Sequence, residues 1–597
     1  MVHLAGPPLL PPLVFFLRQL ALILMFCLFA GASHAVDLRL NAPDALTDPL
    51  RNASLTASLE DQATSQDILA AARADYARLV GVLYARGYYG PVVRIDADGQ
   101  EVATMSPFAA PSHIGRITIN VDPGPQFRFG DARVTPLAPG AVANPALAWG
   151  EVAASTALRD AAGEAVEGWR DAGHAKAQID SQHVTANHPA AQVNARVSVA
   201  PGPRLRFGDL VPDTSSRVLP ERQAAIAGLP AGAVFSPAEL DAAAERLRRT
   251  GAFRAVVLRE GDAQKDNTLP IALEVTDAKR RRYGLGAEYA SQEGLALSAF
   301  WLHRNLLGGA ERLTVDGLIS GIGGQSGGED FNLSVTLARP ATFTPDTQLL
   351  LEAELETLNE PDFENRSAAL GIALNHQFND RLQGRVGARL RYSDPKGALA
   401  QSELLQLFVP IGATWDTRNN DLSASSGLFA DVEVMPFATL NGGGGGLRFA
   451  SDLRGYRNVG DIVFAGRAQF GSILGATQSD LPPDLLFLSG GGGTVRGQTF
   501  QSLGVDLPMG TVGGRSFAGL SIEARVRASA KLGIVAFADL GFVSASGTFD
   551  AGRSHSGAGL GLRYDTGIGP IRLDVAVPTS GDTGSGLQIY VGIGQAF

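Results

Sequence analysis

The chain has 597 residues, with 50 lysines and arginines against 60 aspartates and glutamates, and one cysteine. It is too long for one ordinary globular core, so at least two domains are expected. The net charge of −10 argues against nucleic acid as a partner.

In residues 1–35 a single charge, Arg18, precedes an apolar run from Leu20 to Ala32, and Ser33 and Ala35 are small. The pattern reads as a secretory signal peptide ending at Ala35. The alternative is a membrane anchor, but the run is short for a span and Pro7, Pro8, Pro11 and Pro12 delay it. Cys27 lies inside this run, so the mature chain is expected to hold no disulfide, thiol nucleophile or cysteine metal site. No later apolar run is long enough for a membrane helix, which leaves a β-barrel as the way to cross a membrane.

Residues 36–278 contain a repeat. A Pro-Gly-Pro segment running from Pro123 to Asp131 returns from Pro201 to Asp209, 78 residues on. An alternating strand precedes each copy, carrying Ile117, Ile119 and Val121 in the first and Val193, Val197 and Val199 in the second. A third such strand carries Leu269, Ile271, Leu273 and Val275. Upstream lie amphipathic helices that end in glycine: one with Ile68, Ala72, Tyr76, Leu79 and Leu83 before Gly87, and one with Leu158, Ala165, Val166 and Trp169 before Gly173. The third opens with Ser236, Pro237 and Glu239 as a capping box and stops at Gly251. Three small α/β modules are expected, at 36–123, 124–202 and 203–278.

From residue 279 the composition shifts, and the last 319 residues hold 51 of the 71 glycines. Period-two segments follow one another to the end. Leu382, Val386, Ala388, Leu390 and Tyr392 alternate with Gln383, Arg385, Arg389 and Arg391, and Ile571, Leu573, Val575 and Val577 alternate with Arg572 and Asp574. An aliphatic row opposite a charged row suits a membrane barrel, with lipid outside and water inside. About sixteen antiparallel strands are expected over 279–597. In the last of them Gly592 and Gly594 offer no cross-strand contact, so closure against a first strand near Tyr283 to Ala290 should be the weakest seam.

One long segment, from Ile473 to Gly514, breaks the alternation. Within it four glycines precede Thr494, Val495, Arg496, Gly497 and Gln498. Such a run is a loop. By itself it reads either as a solvated surface loop or as a loop folded into a cavity, with Arg496 reaching a carboxylate. The G-G-x-x-T-V-R-G pattern resembles the signature of the loop between strands eleven and twelve in the BamA/TamA superfamily of outer-membrane assembly factors, with Gln498 where that family has an aromatic residue. The segment from Leu83 to Gly90 and the Pro-Gly-Pro turns resemble the superfamily's periplasmic POTRA domains, and three of them is the count of the TamA branch. Trp415 to Arg418 with Gly427, the segments around Glu523 and Asp539, and Leu562 to Arg572 resemble further barrel motifs. The closing segment, ending on Phe597, is similar to an outer-membrane targeting signal.

The resemblance implies α+β POTRA modules followed by an all-β transmembrane barrel in the bacterial outer membrane. Implied partners are unfolded outer-membrane or autotransporter proteins, a TamB-like inner-membrane-anchored protein docking on the first module, and outer-membrane lipid. A two-partner-type secretion transporter and a passive channel are the alternatives. Strand parity directs Glu523 and Asp539 inward, where Arg496 could pair with them, as the family's loop arginine is paired. No cofactor, metal site or enzymatic activity is expected. The G-x-S-x-G pattern at Gly324 to Gly328 lacks a strand-to-helix setting, and the histidines show no metal-binding spacing.

Overall fold

The computed structural model describes residues 36–597, apart from 61–62, 107–109, 292, 326, 400–401, 443, 509, 530, 567–568, 594 and 596. The secretory signal expected over residues 1–35, Gly594 and Ser326 lie outside the described residues.

Three small sheets precede the barrel. The first orders Asp37–Asn41, Arg116–Asp122, Val92–Ala97 and Gln100–Glu101, the second Arg128–Thr135, Gln192–Ala200 and Gln178–Asn187, and the third Arg206–Val211, Thr268–Asp277 and Phe253–Glu260. The long helices are Ser65–Tyr84, Ser155–Asp171 and Pro237–Arg249. Thr64 and Asp67 form a reciprocal capping box at the first, which satisfies two otherwise orphaned N–H groups. Leu79 and Leu83 on its inner face are fully buried with Ile95, Ile117 and Ile119, and each leucine contributes about 1.5–3 kcal/mol by leaving water. Two further helices, Asp44–Ala53 and Pro220–Ala227, have too few turns to show a period in the sequence.

The Pro-Gly-Pro repeat has a structural counterpart. The Phe127 N–H donates to the carbonyl of Gly87 at 2.8 Å, and the Leu205 N–H donates to that of Gly173 at 2.9 Å. Phe127 and Leu205 are both fully buried. The residue at the same place in each repeat thus closes onto the glycine that ends the preceding long helix.

The barrel closes with sixteen antiparallel strands. Its eighth strand is interrupted: Leu404–Phe408 and Ile411–Asp416 pair with the same two neighbours on either side of Val409 and Pro410. Pro410 has no N–H for the ladder. Leu285, Leu355, Leu370, Ile522 and Leu560 stand exposed on the outer face. On the inner face Arg385, Arg389 and Arg391 of the seventh strand (Leu382–Gly397) pair with Glu352, Glu354 and Glu356 of the fifth (Thr347–Glu360). No helix among the described residues is long and apolar enough to cross a membrane.

The helix Pro237–Arg249 is fastened to the barrel. Arg246 and Arg249 reach Asp346, in the turn between the fourth and fifth strands, at 3.1 and 2.7 Å. Burial pushes the Asp346 carboxyl up, but hydrogen bonds and charge from the two arginines outweigh it and hold the group below the usual carboxylate range.

The ring closes between the first strand, Arg281–Ala290, and the sixteenth, Gln588–Ile593. Among the described residues their register holds two residue pairs, Tyr289 with Val591 and Ala290 with Tyr590, against six between the fifteenth and sixteenth strands. Ser291 adds one backbone bond to Ile589 at 3.0 Å.

Candidate functional site

The segment between the eleventh strand, Ile462–Leu474, and the twelfth, Ser516–Arg527, folds into the barrel. It lies against the fourteenth strand, Arg553–Thr566, where Gly557 leaves room: a Cβ there would stand 1.9 Å from the Arg496 carbonyl oxygen. Gly497 has φ of +90°, and a Cβ on it would stand 2.6 Å from the Val577 carbonyl oxygen. Both positions therefore demand glycine, one for close approach and one for backbone conformation as well. Val495 is fully buried beside them.

This close approach delivers Arg496 into a cluster of carboxylates. Its Nε and Nη2 donate to the two oxygens of Asp539 at 2.8 and 3.0 Å, a bidentate pair, and its backbone N–H adds a third bond to Asp539 at 3.1 Å. Its Nη1 donates to Glu523 at 2.7 Å and to Asp574 at 3.2 Å. The guanidinium carbon lies 3.6 Å from the centroid of the Phe537 ring, a cation–π contact. Two more arginines complete the cluster: Arg525 donates to Glu523 at 2.8 Å and Arg563 donates to Asp574. Three cations and three anions are thus buried together. A buried charge is tolerated when it is paired and its hydrogen bonds are filled, and each of these is held by at least one opposite charge.

Gln498 fills the place of the family's aromatic residue with polar contacts. Its amide donates to the Ser556 and Ser580 carbonyls at 2.6 and 2.9 Å, and its oxygen accepts from Thr583 at 3.0 Å. The fully buried His555 lies 2.9 Å from Ser489 Oγ, at the start of the loop, and 2.7 Å from Thr583 Oγ1. The same loop is held on the opposite wall, where Asp484 pairs with Arg391 at 2.7 Å and accepts from Asn365 at 2.6 Å. Phe597 sits apart from Arg496 but within reach of the cluster: its carbonyl accepts from Arg525 at 3.1 Å, and its ring lies 5.5 Å from that guanidinium. Gly592 is on the sixteenth strand opposite Arg572.

Arg496, Glu523 and Asp539 are therefore brought together, whereas Gly592 and Phe597 lie on the sixteenth strand and beyond it. Sequence reasoning misses Asp574, Arg525 and Arg563 as members of the cluster. Asp574 stands in a recognisable alternation, but nothing local reveals that its strand passes under the loop tip. With every carboxylate held by at least one arginine, the arrangement suits mechanical fastening and is unsuited to proton transfer. Among the described residues no group of histidine, cysteine, aspartate and glutamate is placed to hold a metal ion.

Residues 305–597 match the model of the Omp85 superfamily domain. The crystal structure of BamA from Haemophilus ducreyi lacking POTRA domains 1–3 is similar over 78% of this chain and 100% of that one, with 16% identity and a TM-score of 0.61. CdiB from Acinetobacter baumannii is similar over 79% of this chain and 90% of that one, with 13% identity and a TM-score of 0.50. The closed barrel of sixteen strands, preceded by small α/β bodies, thus matches the Omp85 superfamily domain over residues 305–597.

Proposed function

We propose that the protein is an assembly factor of the TamA kind, which inserts β-barrel clients such as autotransporters into the outer membrane without nucleotide. The observation that carries this reading is the closing seam, held among the described residues by two residue pairs where its neighbour has six. Among the described residues, Arg281 to Glu288 of the first strand have no paired partner on that side, and in lipid each unpaired backbone group costs several kcal/mol. An incoming strand can supply the partners. The seam opens sideways and the client's strand pairs with the free edge. The three modules, at 36–123, 124–202 and 203–278, lie in the periplasm in this reading, where they receive unfolded clients. A TamB-like inner-membrane-anchored protein docks on the first of them, and outer-membrane lipid surrounds the barrel.

Passage of a client through the lumen, as in a two-partner-type transporter, is the second reading. The loop's attachment to two opposite walls, through Arg496 and through Asp484, supports insertion over passage.

The test introduces Tyr289→Cys and Val591→Cys across the seam, in a chain whose only other cysteine is Cys27. Reduced protein in vesicles is expected to insert an autotransporter barrel, and oxidised protein to fail. Undiminished insertion by fully crosslinked protein would overturn the sideways route.

A further inference from the structure

An ion pair spans the seam beside the two residue pairs that close it. Arg572 of the fifteenth strand, Gly569–Ser580, donates to Glu288 of the first strand at 2.7 Å, reaching over the sixteenth strand that lies between them. Gly592 makes the crossing possible. It stands opposite Arg572 in register, and a Cβ on it would lie 3.2 Å from both Arg572 Nη2 and Glu288 Oε1. The arginine side chain is 12% exposed and the glutamate 58% exposed, so the cation is fixed in the wall and the anion is free to leave.

The same arginine faces the loop cluster. Its Nε lies 4.0 Å from Asp574 Oδ2, the oxygen that accepts from Arg496 at 3.2 Å, and that Nε has no hydrogen-bond partner. One carboxylate oxygen therefore stands between the arginine of the loop and the arginine of the seam. Arg563 occupies the other oxygen of Asp574 and also reaches Oδ2, at 3.4 Å.

We propose that Arg572 and Asp574 are positioning residues that couple the loop to the seam, an inference that rests on the sideways-opening reading above. While Arg496 is seated, Asp574 is satisfied and Arg572 clasps Glu288. When Arg496 withdraws, Asp574 loses a cation and draws Arg572 toward itself, and the clasp on Glu288 loosens. The interior loop thereby controls the free edge without touching it. A Cβ at position 592 would crowd the clasp and make both side chains give by a few tenths of an ångström, so the glycine serves a contact that passes over it as well as leaving one out.

The experiment reads the open fraction of the seam from distances between spin labels at Tyr289→Cys and Val591→Cys in lipid nanodiscs. Electrophoretic heat-modifiability confirms that each variant remains folded. Glu288→Gln, at a half-exposed position, is expected to raise the open fraction about two- to fivefold, the range of a partly screened pair. Arg496→Ala is expected to raise it too. Combined, the two should open the seam no further than the larger single effect, although the residues do not touch. Arg572→Gln should reproduce Glu288→Gln, and Arg572→Lys should retain part of the closure. No change in Glu288→Gln overturns the clasp, and fully additive effects overturn the coupling. If the crosslinked seam still inserts clients while these variants open it as stated, the sideways-opening reading falls and the clasp stands.

Discussion

On the wall formed by the fifth to seventh strands, Arg385 pairs with Glu352 at 2.8 Å with 41% and 27% of their side chains exposed. On the wall formed by the twelfth to fifteenth strands, Arg496 pairs with Asp539, also at 2.8 Å, with 4% and 1% exposed. The chemistry and the distance agree, and the solvent does not. An exposed pair gains little, because water and salt screen it and two long side chains must be held still. A buried pair is held by the absence of any alternative, since either partner left alone keeps its charge without water. The loop creates that difference by lying on one wall and leaving most of the other open to the lumen.

Breaking the covered wall should have the largest effect. Arg496→Ala leaves Asp539 with no cation and Glu523 and Asp574 each one short, and is expected to cost about 3–5 kcal/mol, read as lost protease protection of the loop and a lower denaturant midpoint. A double-mutant cycle with Asp539→Ala should be strongly non-additive. Full additivity would mean the pair contributes nothing of its own.

Gly557→Ala attacks the same wall without touching a charge. Its methyl group would overlap the Arg496 carbonyl oxygen, so the loop must lift, at about 1–3 kcal/mol. Hydrogen exchange over 489–500 should rise while the barrel's own amides hold. Unchanged exchange would show that the loop has slack here.

Asp346 with Arg246 and Arg249 is an intermediate case, about a quarter exposed. Its folded-state carboxyl is held below the unfolded value of about 3.9. The stabilisation is therefore present above that value and is lost as pH falls through the lower folded one. Hydrogen-exchange protection of the helix Pro237–Arg249 should drop below about pH 4. Asp346→Asn should lower that protection at neutral pH, by about 1 kcal/mol, and remove the pH dependence. A variant that keeps the acid transition would assign it to another group.

Arg385→Ala, on the open wall, should cost less than about 1 kcal/mol and matter less still at high salt. A cost comparable to that of Arg496→Ala would erase the contrast between the two walls.

The sequence discloses the features that repeat at short range. Alternation along Leu382–Gly397 separates lipid-facing leucines from lumen-facing arginines before any partner strand is known, because side chains in a strand switch face at every residue. The same parity turns Glu523 and Asp539 inward. Asp574, Arg525 and Arg563 obey it as well, yet their gathering in one cluster with Arg496 depends on which strands curl beneath the loop, Asp574 being 78 residues from Arg496. The short helix Asp44–Ala53 is hidden by its length and by Pro49. Gly592 reads from sequence as a missing contact, and only the three-strand geometry reveals the ion pair that passes over it.

The bonds from Phe127 to Gly87 and from Leu205 to Gly173 put the copied unit of sequence out of phase with the folded body. The first Pro-Gly-Pro segment starts the second body by finishing the end of the first, as a plug carried on one piece fits a socket on the last. A gene segment duplicated with its own helix-terminal glycine and its own Pro-Gly-Pro brings both halves of the coupling. The string could then lengthen or shorten by whole copies without inventing an interface, whereas a cut between residues 123 and 124 would leave a socket on one fragment and its plug on the other.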